Sequence, residues 1–412
     1  MLKYWIWLCT RENIGARTIK LLLEHFESPE QIFLADAERL HAVNGLRLPD
    51  SLLDKDLTES EKIIRECYQK NIHILTYQDA AYPERLRNID DPPAVLYYQG
   101  TLPNFDAQPV VAMVGTRKAS AYGLMQAKML GYQLSKMGAI VISGGADGID
   151  TMSLRGALGG GKSVIAVLGC GVDVTYPKSN KTLFDDIRTY GCLISEYPPG
   201  TPANSFHFPA RNRILSGLAL GVVVVEAPKR SGALITADHA LEQGRDVFTM
   251  PTNVGVHTSE GNLQLLKEGA IVATEGWDVL KEYDHLFPGV IERISKPIPM
   301  GLSKGELQMA ERDVNLQNVA EQPLVPETDD KITIDKPQTS AYIDLNEISD
   351  KLTEIELKVA RLLQDGRCHV DQIIEKTGMS TATVLSALTV MELKGYVKRL
   401  PAKYFSLAEK QL

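Results

Sequence analysis

From Val110 onward the chain repeats one unit, a short apolar run followed by an amphipathic segment of helix length. The runs are Val110–Val114, Ala139–Ile142, Ser163–Leu168, Cys192–Ile194, Gly221–Val225, Asp246–Thr249 and Ile271–Ala273. The segments between and after them predict helices over Tyr122–Met137, Ile149–Leu158, Lys181–Tyr190, Ala210–Leu218, Ala233–Gln243, Asn262–Glu268 and Trp277–Tyr283. Strands uninterrupted by polar positions are covered on both faces, which antiparallel hairpins rarely achieve and crossover helices do. Repeated strand–helix alternation therefore predicts an α/β fold whose centre is an extended Rossmann-like, doubly wound, mostly parallel sheet.

The flanks follow other patterns. Residues 1–75 carry helical periodicity (Ile14, Thr18, Ile19, Leu21–Leu23, Phe26), interrupted by turn signals at Asn13–Gly15, Ser28–Pro29 and Val43–Gly45. They predict a small helical domain of the SAM or helix-hairpin-helix kind, whose turns could offer N–H groups to a phosphate or serve packing alone. The sheet domain is expected over 76–290. An acidic, proline-containing stretch at 291–345 reads as a flexible linker. Within 346–412, Thr353 and Glu356 have capping-box spacing. A helix, a second helix near His369–Gly378, a third at Ser380–Glu392 and an apparent β-ribbon follow, the order of a winged helix.

The 412 residues have a formal net charge of −8, which argues against coating nucleic acid through bulk charge. Glu292 to Asp350 holds twelve acidic and six basic residues, whereas Lys351 to Leu412 holds ten basic and seven acidic. Polyanion binding by the main body must come from a local site. No apolar stretch is long enough to cross a bilayer, and no leader with a small-residue cleavage site is evident. The five cysteines have no Cys-x-x-Cys spacing, so neither a disulfide framework nor a thiolate zinc site is expected. A reducing cytoplasm fits best.

In an open parallel sheet, ligands bind beyond the carboxyl ends of the strands, where helix N-termini present N–H groups. Three successive runs end there in glycine-rich turns: Gly115-Thr116-Arg117, Ser143-Gly144-Gly145 with Gly148, and Gly169 to Gly171 leading to Lys178 and Asn180. Glycine lets a backbone approach an anion, and Arg, Ser and Thr donate to its oxygens. Arg211, Asn212 and Arg213 open a later helix, where basic residues oppose the helix dipole unless an anion or carboxylate is near. Their partner could be a phosphate, or a carboxylate such as Glu196 or Glu226. Ser231-Gly232 starts another helix at the same edge. His207, His239 and His257 lack metal-ligand spacing. No Gly-x-x-x-x-Gly-Lys-Ser/Thr loop, nucleophile elbow or dinucleotide fingerprint is present, so neither catalytic residues, a metal nor a cofactor is expected.

Seven ordered motifs carry a resemblance: Val-Ala-Met-Val-Gly-Thr-Arg (111–117), Ser-Gly-Gly-Ala-Asp-Gly-Ile-Asp (143–150), Ala-Val-Leu-Gly-Cys-Gly-Val-Asp (166–173), Tyr-Pro-Lys-Ser-Asn (176–180), Ser-Glu-Tyr-Pro-Pro-Gly (195–200), Phe-Pro-Ala-Arg-Asn-Arg-Ile (208–214) and Ser-Gly-Ala-Leu-Ile-Thr-Ala (231–237). Together they resemble the DNA-processing protein A family (DprA, also called Smf). The resemblance implies a protein that binds single-stranded DNA, dimerises, protects incoming DNA and helps load the RecA recombinase in natural transformation. Asp147 and Leu154 depart from the family pattern, Leu154 standing where a histidine is usual, and Asn262 falls one residue early. The competing reading is a nucleotide-processing enzyme of the lysine-decarboxylase-like nucleoside phosphate hydrolase type, but its Pro-Gly-Gly-x-Gly-Thr-x-x-Glu loop is missing. A homodimer is expected on a second ground, since one phosphate pocket in an acidic chain holds a strand weakly and two raise avidity.

Overall fold

The computed structural model describes residues 1–46, 49–294, 352–364, 368–394, 396–400 and 404–407. Contacts divide the chain into two compact units, Met1–Val319 and Ala320–Leu412. The first opens with five helices: α1 (Leu2–Cys9), α2 (Ala16–His25), α3 (Pro29–Leu34), α4 (Ala37–His41) and α5 (Thr58–Gln69). Their starts are chemically marked. Ser28 Oγ accepts from Gln31 N–H ahead of Pro29, and Asp36 accepts from Arg39 N–H at 2.9 Å, the side-chain caps that satisfy otherwise orphaned donors. Trp7, Leu22, Ile32 and Leu40 are fully buried, and the Trp7 indole N–H donates to the Asp54 carbonyl at 2.9 Å.

The sheet has nine strands: β1 (His73–Thr76), β2 (Val95–Gly100), β3 (Val110–Val114), β4 (Ile140–Ser143), β5 (Val164–Leu168), β6 (Cys192–Ser195), β7 (Gly221–Val224), β8 (Asp246–Thr249) and β9 (Ile271–Val272). Their order is β1-β2-β6-β5-β4-β3-β7-β8-β9. The stretch from β6 to β9 is parallel, while β2 runs antiparallel to both β1 and β6. Both faces are covered, as the apolar runs require. Val111 and Met113 enter one hydrophobic cluster and Val110, Ala112 and Val114 the other; β5 divides its residues the same way, the period-two alternation of a strand. The first cluster is continuous with the N-terminal helices through Trp7, Leu22 and Tyr97.

The covering helices are α6 (Glu84–Arg87), α7 (Ala121–Lys136), α8 (Ile149–Gly160), α9 (Lys181–Tyr190), α10 (His207–Leu218), α11 (Gly232–Glu242), α12 (Glu260–Lys267) and α13 (Gly276–Leu280). From β3 the chain steps outward through β4 and β5 to β6, then returns to the other side of β3 to lay down β7, β8 and β9. The crossovers diverge between β3 and β7. This topological switch point opens a crevice at the carboxyl ends of those two strands.

Past α13 the chain stays packed on this body. Phe287 and Ile291 are buried, and Glu292 N–H donates to the Met137 carbonyl at 2.9 Å. The linker expected from 291 thus includes residues that pack up to Ile294, while 295–351 lie outside the described residues.

In the second unit, helices Glu354–Leu362, Val370–Thr377 and Thr381–Leu393 pack with a three-stranded antiparallel sheet of β10 (Cys368–His369), β12 (Tyr404–Leu407) and β11 (Val397–Leu400), in that order. The capping box forms: Thr353 N–H donates to Glu356 Oε2 at 2.7 Å, and Glu356 N–H donates to Thr353 Oγ1. Val359, Ile373, Val384, Leu388 and Met391 make the core of this winged helix. Lys394, just past the third helix, pairs with Glu356 at 3.0 Å. No helix among the described residues is long and apolar enough to cross a membrane.

Candidate nucleic-acid interface

At the switch point, the turn after β3 is stitched to the end of β7 by Thr116 N–H, which donates to the Glu226 carbonyl at 2.7 Å. A Cβ on Gly115 would lie 2.5 Å from Ile149 and 2.8 Å from the Glu226 oxygen, so only glycine fits. Gly148, at φ +79°, would clash in the same way with the Thr116 carbonyl at 2.5 Å. The start of α8 is therefore pressed against the β3 turn, and Ile149 N–H donates to Thr116 at 3.2 Å.

Several helices begin at this edge, and the starts of α7 and α8 are met by groups from within the protein. At α7, Ser120 Oγ accepts from Gly123 N–H, and the buried Glu226 carboxylate accepts from both Ser120 N–H and Oγ at 3.0 Å. At α8, Ile149 and Thr151 N–H groups go to the Thr116 and Ala146 carbonyls. The start of α11 is exposed. Ser231 caps it by accepting from Ala233 N–H at 3.2 Å, and Gly232 is exposed with nothing within 4 Å of its Cβ position.

Between these elements lies a cavity of about 670 Å³ lined by Gly115, Thr116, Arg117, Lys118, Arg211, Asn212, Arg230, Ser231 and Gly232. Arg117, Lys118 and Arg230 are exposed, so three cations face solvent at its rim. The Arg117 guanidinium lies 5.3 Å from the centre of the Phe208 ring, a contact that orients it without consuming its donors. Among the described residues Asp150 is the one carboxylate lining the cavity, and it is buried, with Arg211 acting on its charge. Burial pushes the Asp150 carboxyl up to about 6 and the Arg211 guanidinium down to about 10, each partly restored by the other. The field at the mouth is therefore positive although the chain as a whole is acidic, as an anion site requires.

The structure brings seven expected residues to this cavity: Gly115, Thr116, Arg117, Arg211, Asn212, Ser231 and Gly232. Arg211 is in the wall with its donors used inward. Its Nη1 donates to the carbonyls of Gly144, at 2.9 Å, and Val167, fastening the ends of β4 and β5. Asn212 Nδ2 donates to the Gly232 carbonyl at 3.2 Å and ties α10 to α11.

The other candidates are placed elsewhere. Ser143 is buried and its hydroxyl donates to the Met113 carbonyl at 2.6 Å. The Gly145 carbonyl accepts from the buried Asn180 amide at 3.0 Å, and the same amide reaches Thr151 Oγ1 at 2.8 Å. Gly144, Gly145 and Gly148 thus serve protein contacts, and Lys178 is exposed outside the cavity lining. Arg213 takes the carboxylate partner that the sequence left open. It is not among the cavity's residues but forms a two-pronged ion pair with Glu196 at 2.7 and 2.8 Å, with Nε donating to the Asp91 carbonyl at 3.0 Å. Glu226, the other carboxylate considered for these arginines, serves α7 instead. Among the described residues no group of three or more His, Cys, Asp or Glu side chains could hold a metal ion.

A family model described as DNA recombination-mediator protein A matches residues 73–284, and one described as DprA winged helix domain matches 346–403. The chain is 32% identical over 97% of its length to the protein Smf of Synechocystis, covering 96% of that protein. The chain belongs to the DNA-processing protein A family. Over 68% of its length it is 38% identical to the DNA processing protein DprA of Streptococcus pneumoniae, covering 98% of that protein. The X-ray structure of the Streptococcus pneumoniae DprA superposes with a TM-score of 0.61 at 36% identity, over 68% of this chain and 98% of that one.

Against the family pattern, each departure finds a place. Asp147 accepts from Ser179 Oγ at 2.7 Å, so its charge is engaged locally. Leu154 is fully buried in the core. Asn262 accepts from Ala227 N–H at 2.8 Å and donates to the Val224 and Val225 carbonyls, knotting the end of β7 to α12. Sequence reasoning overlooked Lys118 and Arg230 as rim cations. The signal for Arg230 was present, since Lys229-Arg230 directly precedes the Ser231 cap.

Proposed function

We propose that the chain is a non-catalytic, single-stranded DNA-binding protein of the cytoplasm. In this reading it protects incoming DNA and helps load RecA recombinase in natural transformation. The observation that carries the DNA reading is the cavity at the switch point. It is bordered by the exposed start of α11 and rimmed by Arg117, Lys118 and Arg230, and among the described residues its one lining carboxylate, Asp150, is buried. Gly115, Thr116, Arg117, Ser231 and Gly232, joined by Lys118 and Arg230, would hold backbone phosphates. Phosphate contacts supply affinity without reading sequence. The names of the relatives, DNA processing protein and recombination-mediator protein, support the same reading.

The proposed working form is a homodimer, in which two such cavities act on one strand with raised effective concentration. The expected division, a helical domain at 1–75, the DNA-binding sheet domain at 76–290, a linker at 291–345 and a winged helix at 346–412, is proposed with two boundaries moved, because β1 starts at His73 and the chain stays packed on the sheet domain to Ile294. A filter-binding titration of the full chain should give tighter binding to single-stranded than to duplex oligonucleotides of equal length. Equal affinity for both overturns the reading. Sedimentation at micromolar concentration should give twice the 45.4 kDa of one chain, and a pull-down with the cognate RecA tests the loading partner.

A further inference from the structure

Two aromatic rings beside the cavity are held by neighbours and left in solvent. Phe206, the residue before α10, is 70% exposed, and Tyr176 is 41% exposed. Phe206 meets the His207 ring edge-on, with centroids 4.6 Å apart and planes at 78°. His207 lies flat on Tyr197 at 3.9 Å and 21°, and its Nδ1 is 3.2 Å from the Gly169 carbonyl. Tyr176 sits 5.5 Å from Phe208, the ring that also carries Arg117. A ring kept out of the core and backed by a second ring presents apolar surface to solvent that burial would remove from water. Phe206 is next in sequence to Ser205 and two residues from Phe208, both of which line the cavity, and Tyr176 lines it directly.

We propose that Phe206 and Tyr176 are nucleobase-stacking positions flanking the phosphate cavity, so that the site takes a polynucleotide with unpaired bases in preference to a duplex or an isolated phosphate. The inference rests on the reading that the cavity holds DNA phosphates, and it adds the source of strand selectivity. Phosphates are present on both duplex and single strands, so the rim cations alone cannot tell them apart. A protein ring can stack on a base only when that base's face is not already covered by its neighbours in a helix. Stacking on either ring is tolerant of sequence because every base has a π face.

The full chain is titrated with three ligands of equal length: oligo(dT), the same backbone with abasic sites throughout, which carries the same number of phosphates, and a duplex. Phe206→Ala and Tyr176→Ala should each weaken oligo(dT) binding by about fivefold or more, the lower end of a stacked base's contribution. Both should leave binding of the abasic strand within twofold. Phe206→Trp should retain oligo(dT) binding and show indole fluorescence quenched by oligo(dT) but not by the abasic strand. Because the rings are exposed, thermal melts of the variants should match the parent. Equal losses on oligo(dT) and the abasic strand, or no loss on either, overturn the stacking role while leaving the phosphate reading standing. Failure of the parent protein to bind either strand overturns the phosphate reading, and the stacking role with it.

Discussion

The carboxyl ends of β3 and β7 and those of β4 and β5 lie on one edge of one sheet, and β3, β4 and β5 all finish in glycine-rich turns, yet the two pairs are put to different uses. At β4 and β5 the polar groups turn inward. Ser143 donates to Met113, Arg211 to the Gly144 and Val167 carbonyls, and Asn180 to the Gly145 carbonyl. At β3 and β7, Arg117, Lys118 and Arg230 remain exposed around an open space. A glycine shows that something approaches the backbone closely, but not whether that something is protein or ligand. The difference lies in what arrives from neighbouring elements. The first edge receives a buried arginine and a buried asparagine that fill it, whereas the second receives Gly232, Ser231 and the Phe208 ring, which leave it open.

The largest expected effect separates the two edges by stability. Arg211→Met leaves two strand-end carbonyls without a donor and removes the positive charge that acts on the buried Asp150 carboxyl. It should lower unfolding free energy by about 2–5 kcal/mol, the cost of leaving buried hydrogen-bonding groups unsatisfied, read from urea unfolding. A loss below about 1 kcal/mol would break the comparison, because the closed edge would not depend on the group that closes it. The second effect is a pH dependence. With Asp150 at about 6 against an ordinary 3.8, the folded state keeps a proton that the unfolded chain has lost. This group's contribution is therefore fully present below about pH 4 and lost as pH rises through 6. Across that window the parent should lose on the order of 1–3 kcal/mol relative to Asp150→Asn. Parallel pH profiles for the two proteins would remove the assignment.

These two edges also mark how far the sequence can be read. The seven runs from Val110 onward are recovered as β3 to β9, because strands buried on both faces are nearly all apolar. The strands β1 and β2 escaped notice. His73-Ile-Leu-Thr and Val95-Leu-Tyr-Tyr-Gln-Gly mix polar with apolar residues at the antiparallel margin, where one side is less covered. In the site, Arg117 and Ser231 were legible because a cation in a glycine turn and a hydroxyl before a helix have local meaning. Arg211 and Arg213 were not separable. Two residues apart on a helix they point roughly 200° from each other, and only the fold shows that one meets the cavity wall and the other Glu196.

Smaller effects concern binding. Arg117→Ala should leave stability within about 0.5 kcal/mol and lower the slope of log affinity against log salt for single strands by about 0.7 to 1. Arg230→Ala should do the same. An unchanged slope in both variants would mean that the open edge holds no phosphate and is no more a binding surface than the closed one.

The smallest expected effect compares the cavity with the winged helix. The third helix of that unit, Thr381–Leu393, is capped by Ser380 and has no basic residue before Lys394, whose ammonium is held by Glu356. Duplex-reading helices present Arg, Lys, Asn or Gln to base edges, and this helix offers none of them. At the rim of β3 and β7, by contrast, the Arg117 guanidinium rests on the Phe208 ring and is exposed to solvent. Removing the tail should therefore leave single-strand affinity within a few-fold. The cut belongs after Ile294 and not after Tyr283, because Phe287 and Ile291 are buried against the body and Glu292 bonds to Met137; an earlier cut would unfold what it is meant to isolate. If truncation there costs a hundredfold, roughly 2.7 kcal/mol, with the sheet domain still melting cooperatively, then the winged helix is the principal DNA site and the open edge at the switch point is secondary to it.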